Sequence, residues 1–558
     1  MIAARTEAAR RPPMGWNSWD CFGASVTEEE VLANAEYLAE HLLPHGWDTV
    51  VIDIQWYEPD PGTSDYQKVS EPVLDDWGRP QPAVGRFPSA ATGGFTALAA
   101  RVHALGLRFG VHLMRGVPRR AAELALPVLG SEATCADIAD RGNVCPWNPD
   151  NFGVDLSVPG AQQYYDSVLA QLASWGVDFV KLDDVLSPPI QADEIAALSR
   201  AIDATGRPMV LSLSPGKQLS LENLDLLRAS AQMWRISDDF WDDWAHLHEQ
   251  FQRAARWAPH QRSGAWADAD MLPLGRIGVR AHVGEDRLSR FTAAEQRTLV
   301  TLWCLLRSPL MVGGHLPDTP AETLALLTQG DVLALLESDG SRETVRDGDL
   351  VVWSAWRGDV QWRGVFWLGA TVRSYTAHLA DLGCAGSVVE VWGGEELASM
   401  APWNWSSSRT GAAYYASGEE WGLFRLPRSV LGEVVPVAGE EVVVGVRVGA
   451  FEVDGVADAP VPGVVVFPAE DFEGRAVVES EDGVVGVSFA VDPDDGASGE
   501  ARERGREHLA GVLAGDAPRG CGEGPVAVEI QPPVGAGEGS GRVVRGRFGD
   551  GQREGGLE

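Results

Sequence analysis

Basic residues are scarce in this sequence: 45 lysines and arginines face 80 aspartates and glutamates, a formal net charge of −35. Nucleic acids and anionic membranes are bound by positive surfaces, so neither is an expected partner. Long apolar runs are missing too. No stretch approaches the ~18 uninterrupted apolar residues of a membrane-spanning helix. The opening segment, MIAARTEAARRPPMGWNSWD, carries charge but no apolar core. It does not read as a secretory signal, and a cytoplasmic location is expected. Cysteine is limited to six residues, Cys21, Cys135, Cys145, Cys304, Cys384 and Cys521. Their spacing fits no zinc pattern, and so few in a chain this long make no disulfide scaffold. Cys135 and Cys145 could bridge a loop, but buried free thiols are the expectation. Tyrosine is sparse at 8, whereas tryptophan reaches 21. Indole faces stack well on the C–H faces of sugars; they also fill cores, and core packing is expected for most of them.

What is present points to a large globular chain. Hydrophobic residues make up 45% of the 558 residues, enough to bury a sizeable core. From about residue 14 to 337, short apolar runs alternate with helical patterns, the signature of a parallel α/β sheet. Eight strands are expected: Met14–Asp20, Thr49–Gln55, Leu107–Met114, Phe179–Asp184, Pro208–Pro215, Met233–Phe240, Ala265–Leu272 and Leu306–Gly313. Amphipathic stretches such as Thr27–Leu42 and Ala161–Trp175 lie between them. Eight such units give an α/β fold of the (β/α)8 TIM barrel type. A doubly wound sheet is the alternative, but no glycine fingerprint follows the first strand. Past Glu337 the segments LVVWSAWRGD, WRGVFWLGA and SVVEVWGG read as short strands of a small antiparallel β-sandwich. From Arg428 onward the chain is rich in Gly, Val, Glu and Arg, has no lysine, and shows little periodicity. The expected division is a barrel over 11–337, a β domain over 338–427 and a low-complexity, disordered tail over 428–558 without assigned function.

Active sites of such barrels lie at the C-terminal ends of the strands, where residues i, i+2 and i+4 share a face. Strand four ends DFVKLDD. Lys181 and Asp183 share one face and Asp184 takes the other. A lysine two residues before a carboxylate keeps it ionised, as a nucleophile requires. Strand six ends MWRISDDF, with Arg235, Ser237 and Asp239 on one face and Asp238 on the other. A structural ion pair would explain Asp239 equally well if it stood alone. Strand seven adds Asp268 and Asp270, strand two Asp53, strand three His112, and strand five Ser212 and Ser214. A lone histidine is more often a satisfied core group, so His112 gains weight from its company. Burying so many acids at one end of a barrel without a use would be costly. Two carboxylates on facing strands are the equipment of glycoside hydrolysis.

The motifs MGWNSWDCFG, VVIDIQWYEP, DFVKLDD, MWRISDDFWDDW and WADADMLPLG resemble glycoside hydrolase family 27, the α-galactosidase family of clan D. The resemblance runs from about Pro12 to the end of the small β domain. It implies Asp183 as nucleophile and Asp239 as acid/base. It implies that Trp19 stacks on the sugar and that Asp53, Lys181, Arg235 and Asp270 bond its hydroxyls. His112 stands where many relatives carry tyrosine, and Ser214 completes the candidate sugar-binding set. The family retains anomeric configuration and needs no cofactor, and no metal ligands are expected. Three departures concern the sugar. Ile54 replaces the second acid of the strand-two motif, the strand-five loop reads LSLSPG, and Asp184 follows the nucleophile. These changes are similar to the bacterial branch that includes isomaltodextranase.

The expected function is therefore retaining hydrolysis of terminal α-D-galactosyl residues from an oligosaccharide or glycoside. Retention expects carboxyl groups about 5–5.5 Å apart. An α-1,6-glucan or a β-L-arabinopyranoside is the alternative substrate on the same machinery. A metal-dependent hydrolase using Asp183, Asp184, Asp268 and Asp270 lacks the clustered histidines such sites use. A non-catalytic sugar-binding barrel is the more distant reading. Oligomeric state is not read from the sequence.

Overall fold

The computed structural model describes residues 2–369 apart from 63–65, 68–69 and 282. Beyond them it describes 373–378, 387–392, 396–398, 402–407, 421–427, 475–481 and 484–490. The chain divides into two units, 1–447 and 448–558.

In the first unit eight parallel strands curl into one sheet. They are β1 (Met14–Asn17), β2 (Thr49–Ile52), β3 (Arg108–Met114), β4 (Phe179–Asp183), β5 (Val210–Leu213), β6 (Met233–Arg235), β7 (Trp266–Asp268) and β8 (Leu310–Val312). Each pairs with the next in sequence from β1 to β7, and β8 returns to pair with β1. The ring closes where Leu272 donates to Met311 at 2.7 Å and accepts from Gly313 at 2.9 Å. This is the expected TIM barrel. Helices follow the strands in turn: α1 (Glu28–Tyr37), α2 (Thr96–Ala104), α3 (Ala161–Trp175), α4 (Ala192–Thr205), α5 (Leu224–Ser230), α6 (Trp244–Trp257), α7 (Ala293–Leu306) and α8 (Ala321–Leu327).

Local chemistry sets these boundaries. Thr27 and Glu30 form a capping box that starts α1, and Thr292 and Glu295 do the same for α7. Gly176, with φ of +88°, ends α3 in the left-handed region that glycine enters freely. Most strands are shorter than the sequence pattern suggests. β1 stops at Asn17 because the Asn17 side chain accepts from the Trp19 N–H and starts a helical turn, Trp19–Phe22. Beyond β2, Gln55 adopts φ of +60°, and beyond β7, Asp270 adopts +86°, so both chains leave the ladder there. The eighth strand begins at Leu310 rather than Leu306, since α7 runs through Leu306 and Arg307 turns left-handed.

Among the described residues twelve tryptophans are buried, and Trp16, Trp47, Trp56, Trp234, Trp257, Trp303 and Trp353 are the most completely covered of them. Under the N-terminal ends of the strands lies a short helix, Ile2–Ala8. From it Arg5 donates to the Ser230 carbonyl and to Ser199 Oγ. The Trp266 indole donates to the Ala9 carbonyl at 2.8 Å.

After the barrel, antiparallel strands run from Gly340 to Pro427. Six form one sheet, and Arg373–His378 pairs with Pro402–Ser407 in a second. The larger sheet packs on the barrel helices through Phe251 against Phe366, 5.0 Å between ring centroids. In the second unit one hairpin is described, Arg475–Glu481 with Val484–Ala490. The rest of the expected tail over 428–558 lies outside the described residues. The four described cysteines, Cys21, Cys135, Cys145 and Cys304, are free and buried. Among the described residues no helix is long and apolar enough to cross a membrane.

Candidate active site

Two groups of charged side chains occupy the C-terminal mouth of the barrel. The first spans β2, β3 and β4. Lys181 Nζ contacts Asp53 Oδ2 at 2.7 Å, and Asn17 Nδ2 donates to the same oxygen at 2.8 Å. The other Asp53 oxygen accepts from the Ile54 N–H at 2.9 Å. Next to this pair, His112 Nε2 lies 3.1 Å from Asp183 Oδ2, and the Asp184 N–H donates to Asp183 Oδ1 at 2.8 Å. Burial by itself would raise the Asp183 pKa. The His112 hydrogen bond and charge, the Lys181 ammonium and the Asp184 N–H outweigh it and hold the carboxyl well below the usual range. Burial likewise opposes the charge on Lys181, yet Asp53 and Asp183 keep its pKa above the ordinary lysine value. Asp183 is therefore a fixed, ionised carboxylate with 14% of its side chain exposed.

The second group spans β6 and β7. Arg235 forms an ion pair with Asp270 Oδ2 at 2.8 Å and donates to Asp239 Oδ1 at 3.1 Å. Asp270 Oδ2 also accepts from the Phe240 N–H at 2.7 Å, and Asp268 Oδ1 accepts from the Asp270 N–H. Burial raises the pKa of Asp270. Arg235 opposes that shift, while Asp239 and Asp268 add to it. Asp239 differs from all these acids. Its side chain is 52% exposed, and among the described residues its one ion pair is with Arg235. Water and a leaving group can reach it.

Apolar groups line the same mouth. Trp19 stacks on Tyr66 with centroids 6.1 Å apart, and Ile54, Met114 and Trp241 belong to the same buried cluster. Ser214 is buried, and its hydroxyl has no hydrogen-bond partner among the described residues. It joins neither charged group.

Residues 152–338 match the family model described as α-galactosidase A. An α-galactosidase of Oryza sativa subsp. japonica is 26% identical over 411 residues, 70% of this chain and 83% of that one. A solved β-L-arabinopyranosidase of glycoside hydrolase family 27 from Geobacillus stearothermophilus, in complex with arabinose, is 44% identical. The match covers 76% of this chain and 98% of that one, with a TM-score of 0.71. A putative α-N-acetylgalactosaminidase from Bacillus halodurans is 41% identical, covering 75% and 97% of the two chains, at a TM-score of 0.64. The chain belongs to glycoside hydrolase family 27. It is a glycosidase of the α-galactosidase type.

In this family 27 enzyme the acids adjacent to the two candidates face elsewhere. Asp184 turns back into the protein toward Arg115, at 2.7 Å. Asp238 lies 3.8 Å from Lys217, and both side chains are more than half exposed.

Sequence reasoning missed Asn17 and Asp20 of the enzyme. Both sit in the MGWNSWDCFG motif, so the motif itself was the available signal. Asp20 is buried, and its Oδ2 has no hydrogen-bond partner among the described residues. That oxygen packs against Gly313, where an added Cβ would fall 1.9 Å from it. Burial raises the Asp20 pKa well above the usual value, and Asp270, Asp239 and Asp53 raise it further against the pull of Lys181. Its surroundings thus favour the protonated form of the Asp20 carboxyl over the charged one.

Proposed function

We propose that Asp183 is the nucleophile and Asp239 the general acid/base of a double displacement. The contrast between the two carboxylates carries this reading: one is mostly covered and held ionised, the other is half-exposed in the loop beyond a different strand. In the first step Asp183 bonds to the anomeric carbon as the bond to the leaving oxygen breaks. Asp239 delivers its proton to that oxygen. In the second step water attacks the anomeric carbon and gives a proton to Asp239, and the ester to Asp183 breaks. Trp19 stacks on the sugar ring. Asp53, Lys181, Arg235 and Asp270 bond its hydroxyls, with His112 and Ser214 completing the wall. The catalytic unit is the barrel of residues 11–337, followed by a β domain over 338–427.

Terminal α-D-galactopyranosides are the parent substrate class. A second reading, β-L-arabinopyranosides, is supported by Ile54 and by the similarity to the Geobacillus enzyme. The two sugars share ring configuration, and the pentopyranoside lacks the hydroxymethyl group. Ile54, buried in the cluster with Trp19, offers that group no hydrogen bond. The test is nitrophenol release from the α-D-galactopyranoside, β-L-arabinopyranoside and α-D-glucopyranoside in parallel. Cleavage of the first two and not the third is expected. A faster arabinopyranoside selects the second reading, and cleavage of none removes the enzymatic one.

A further inference from the structure

The nucleophile is oriented through a residue that bends against its own preference. Asp183 Oδ1 receives its hydrogen bond from the Asp184 N–H. Asp184 holds that N–H in place at φ of +60°, a conformation costly for a residue with a side chain. Something must over-determine it. Arg115, just past the end of β3, does so at several points. Its backbone N–H donates to the Asp183 carbonyl at 3.3 Å, and its Nε donates to the Asp184 carbonyl at 2.7 Å. One terminal nitrogen forms an ion pair with Asp184 Oδ2 at 2.7 Å. That nitrogen also donates to Asn143 Oδ1 at 2.9 Å.

The clamp is anchored in turn. The other terminal nitrogen of Arg115 donates to Glu194 Oε1 at 3.1 Å, in the first turn of α4. Glu194 accepts from the Tyr165 hydroxyl of α3, and that hydroxyl accepts from the Gly116 N–H at 2.9 Å. Arg115, Asp184, Glu194 and Tyr165 are all buried. One guanidinium therefore stands between two buried acids, and its rigid fork puts separate nitrogens on Glu194, on Asp184 Oδ2 and on the Asp184 carbonyl at once.

We propose that Arg115 is the positioning residue of the nucleophile. It touches no sugar. It fixes the left-handed turn at Asp184, and through that turn's N–H it sets the direction of the Asp183 carboxylate. The inference rests on Asp183 being the nucleophile.

The experiment is single-turnover labelling of the full chain with a 2-deoxy-2-fluoro glycosyl fluoride of the preferred sugar. The labelled peptide is mapped, and Arg115→Ala and Arg115→Lys are compared with wild type. A label on any residue other than Asp183 overturns the nucleophile assignment, and this inference with it. With the label on Asp183, both variants are expected to label about 10²-fold more slowly, the cost of misplacing a reacting group by about 1 Å. In steady state kcat falls while KM is little changed, because no sugar contact is lost. Added guanidinium restores labelling to Arg115→Ala and leaves wild type unchanged. If Arg115→Ala does not fold, Arg115→Lys, which keeps the charge, decides. A folded variant of either kind that labels as fast as wild type overturns the proposal.

Discussion

The two sides of the barrel mouth hold the same residue type in opposite surroundings. On the side of β3 and β4, Asp183 has each oxygen fixed by a separate donor, and it is mostly covered. On the side of β6 and β7, Asp239 hangs from one guanidinium nitrogen with half its surface in water. An attacking carboxylate must be aimed and ionised before the sugar arrives. A proton carrier must exchange with water and swing with the leaving oxygen. On the proposed assignment, identical side chains acquire different roles from their neighbours.

The comparison breaks outright if Asp183→Ala keeps turnover. Loss to background on every aryl glycoside is expected, with the melting transition retained. Asp239→Ala tests the other side. Its rate on a substrate with a poor leaving group is expected to fall about 10²–10⁴-fold, the range of general acid catalysis. A dinitrophenyl leaving group, which needs no proton, should recover most of the first step; equal losses on both substrates would argue against the acid role.

A smaller effect sharpens the contrast in pH. In the wild type, Asp183 stays ionised well below the usual carboxylate range, partly through His112. His112→Phe removes a lowering influence, so the Asp183 pKa rises. The acid limb of kcat/KM then moves to higher pH, and an unmoved limb would deny His112 that role. Ile54→Asp places an acid in the apolar wall near the dry side. The galactoside-to-arabinopyranoside ratio of kcat/KM is expected to rise about 10-fold, the value of one hydrogen bond to a hydroxyl. An unchanged ratio would free Ile54 from sugar selection.

The smallest effect concerns Asp20, which lies within reach of both groups. Its folded pKa is raised, so the folded state binds the proton more tightly than the unfolded chain does. The Asp20 contribution to stability is fully present below the unfolded aspartate pKa and is lost as pH rises through the raised folded value. Asp20→Asn removes that loss. The variant should be more stable by on the order of 1 kcal/mol toward alkaline pH, with the gain shrinking as the solution is acidified. Melting curves across pH read it directly, and a gain that grows on acidification contradicts the assignment.

Much of this architecture is legible in the sequence. Period-two alternation separates Asp183 from Asp184 at the end of β4, where a pleated strand turns adjacent side chains to opposite faces. The strand ends were not legible. Met233–Phe240 reads as one extended run, yet pairing stops at Arg235, because contacts from other strands decide where a ladder ends. Asp239 then sits four residues beyond its strand. Asp20 was hidden for a related reason. Its meaning depends on Asp53, Lys181, Asp239 and Asp270, which lie in or beyond four other strands. The Arg115 fork joins residues 69 and 79 positions away, and no local pattern announces such a pairing.

Closure of the ring by its first and last strands also sets a timetable for synthesis. Met14 pairs with Leu310, and the buried Trp16 indole donates to Gly314, 298 residues later. At roughly 5–20 residues per second, a ribosome needs about 15–60 s to deliver that partner. For that interval the first strand has one edge unpaired and its largest side chain uncovered. Yield of soluble enzyme should therefore respond to chaperone supply during translation more strongly than the stability of the finished barrel suggests.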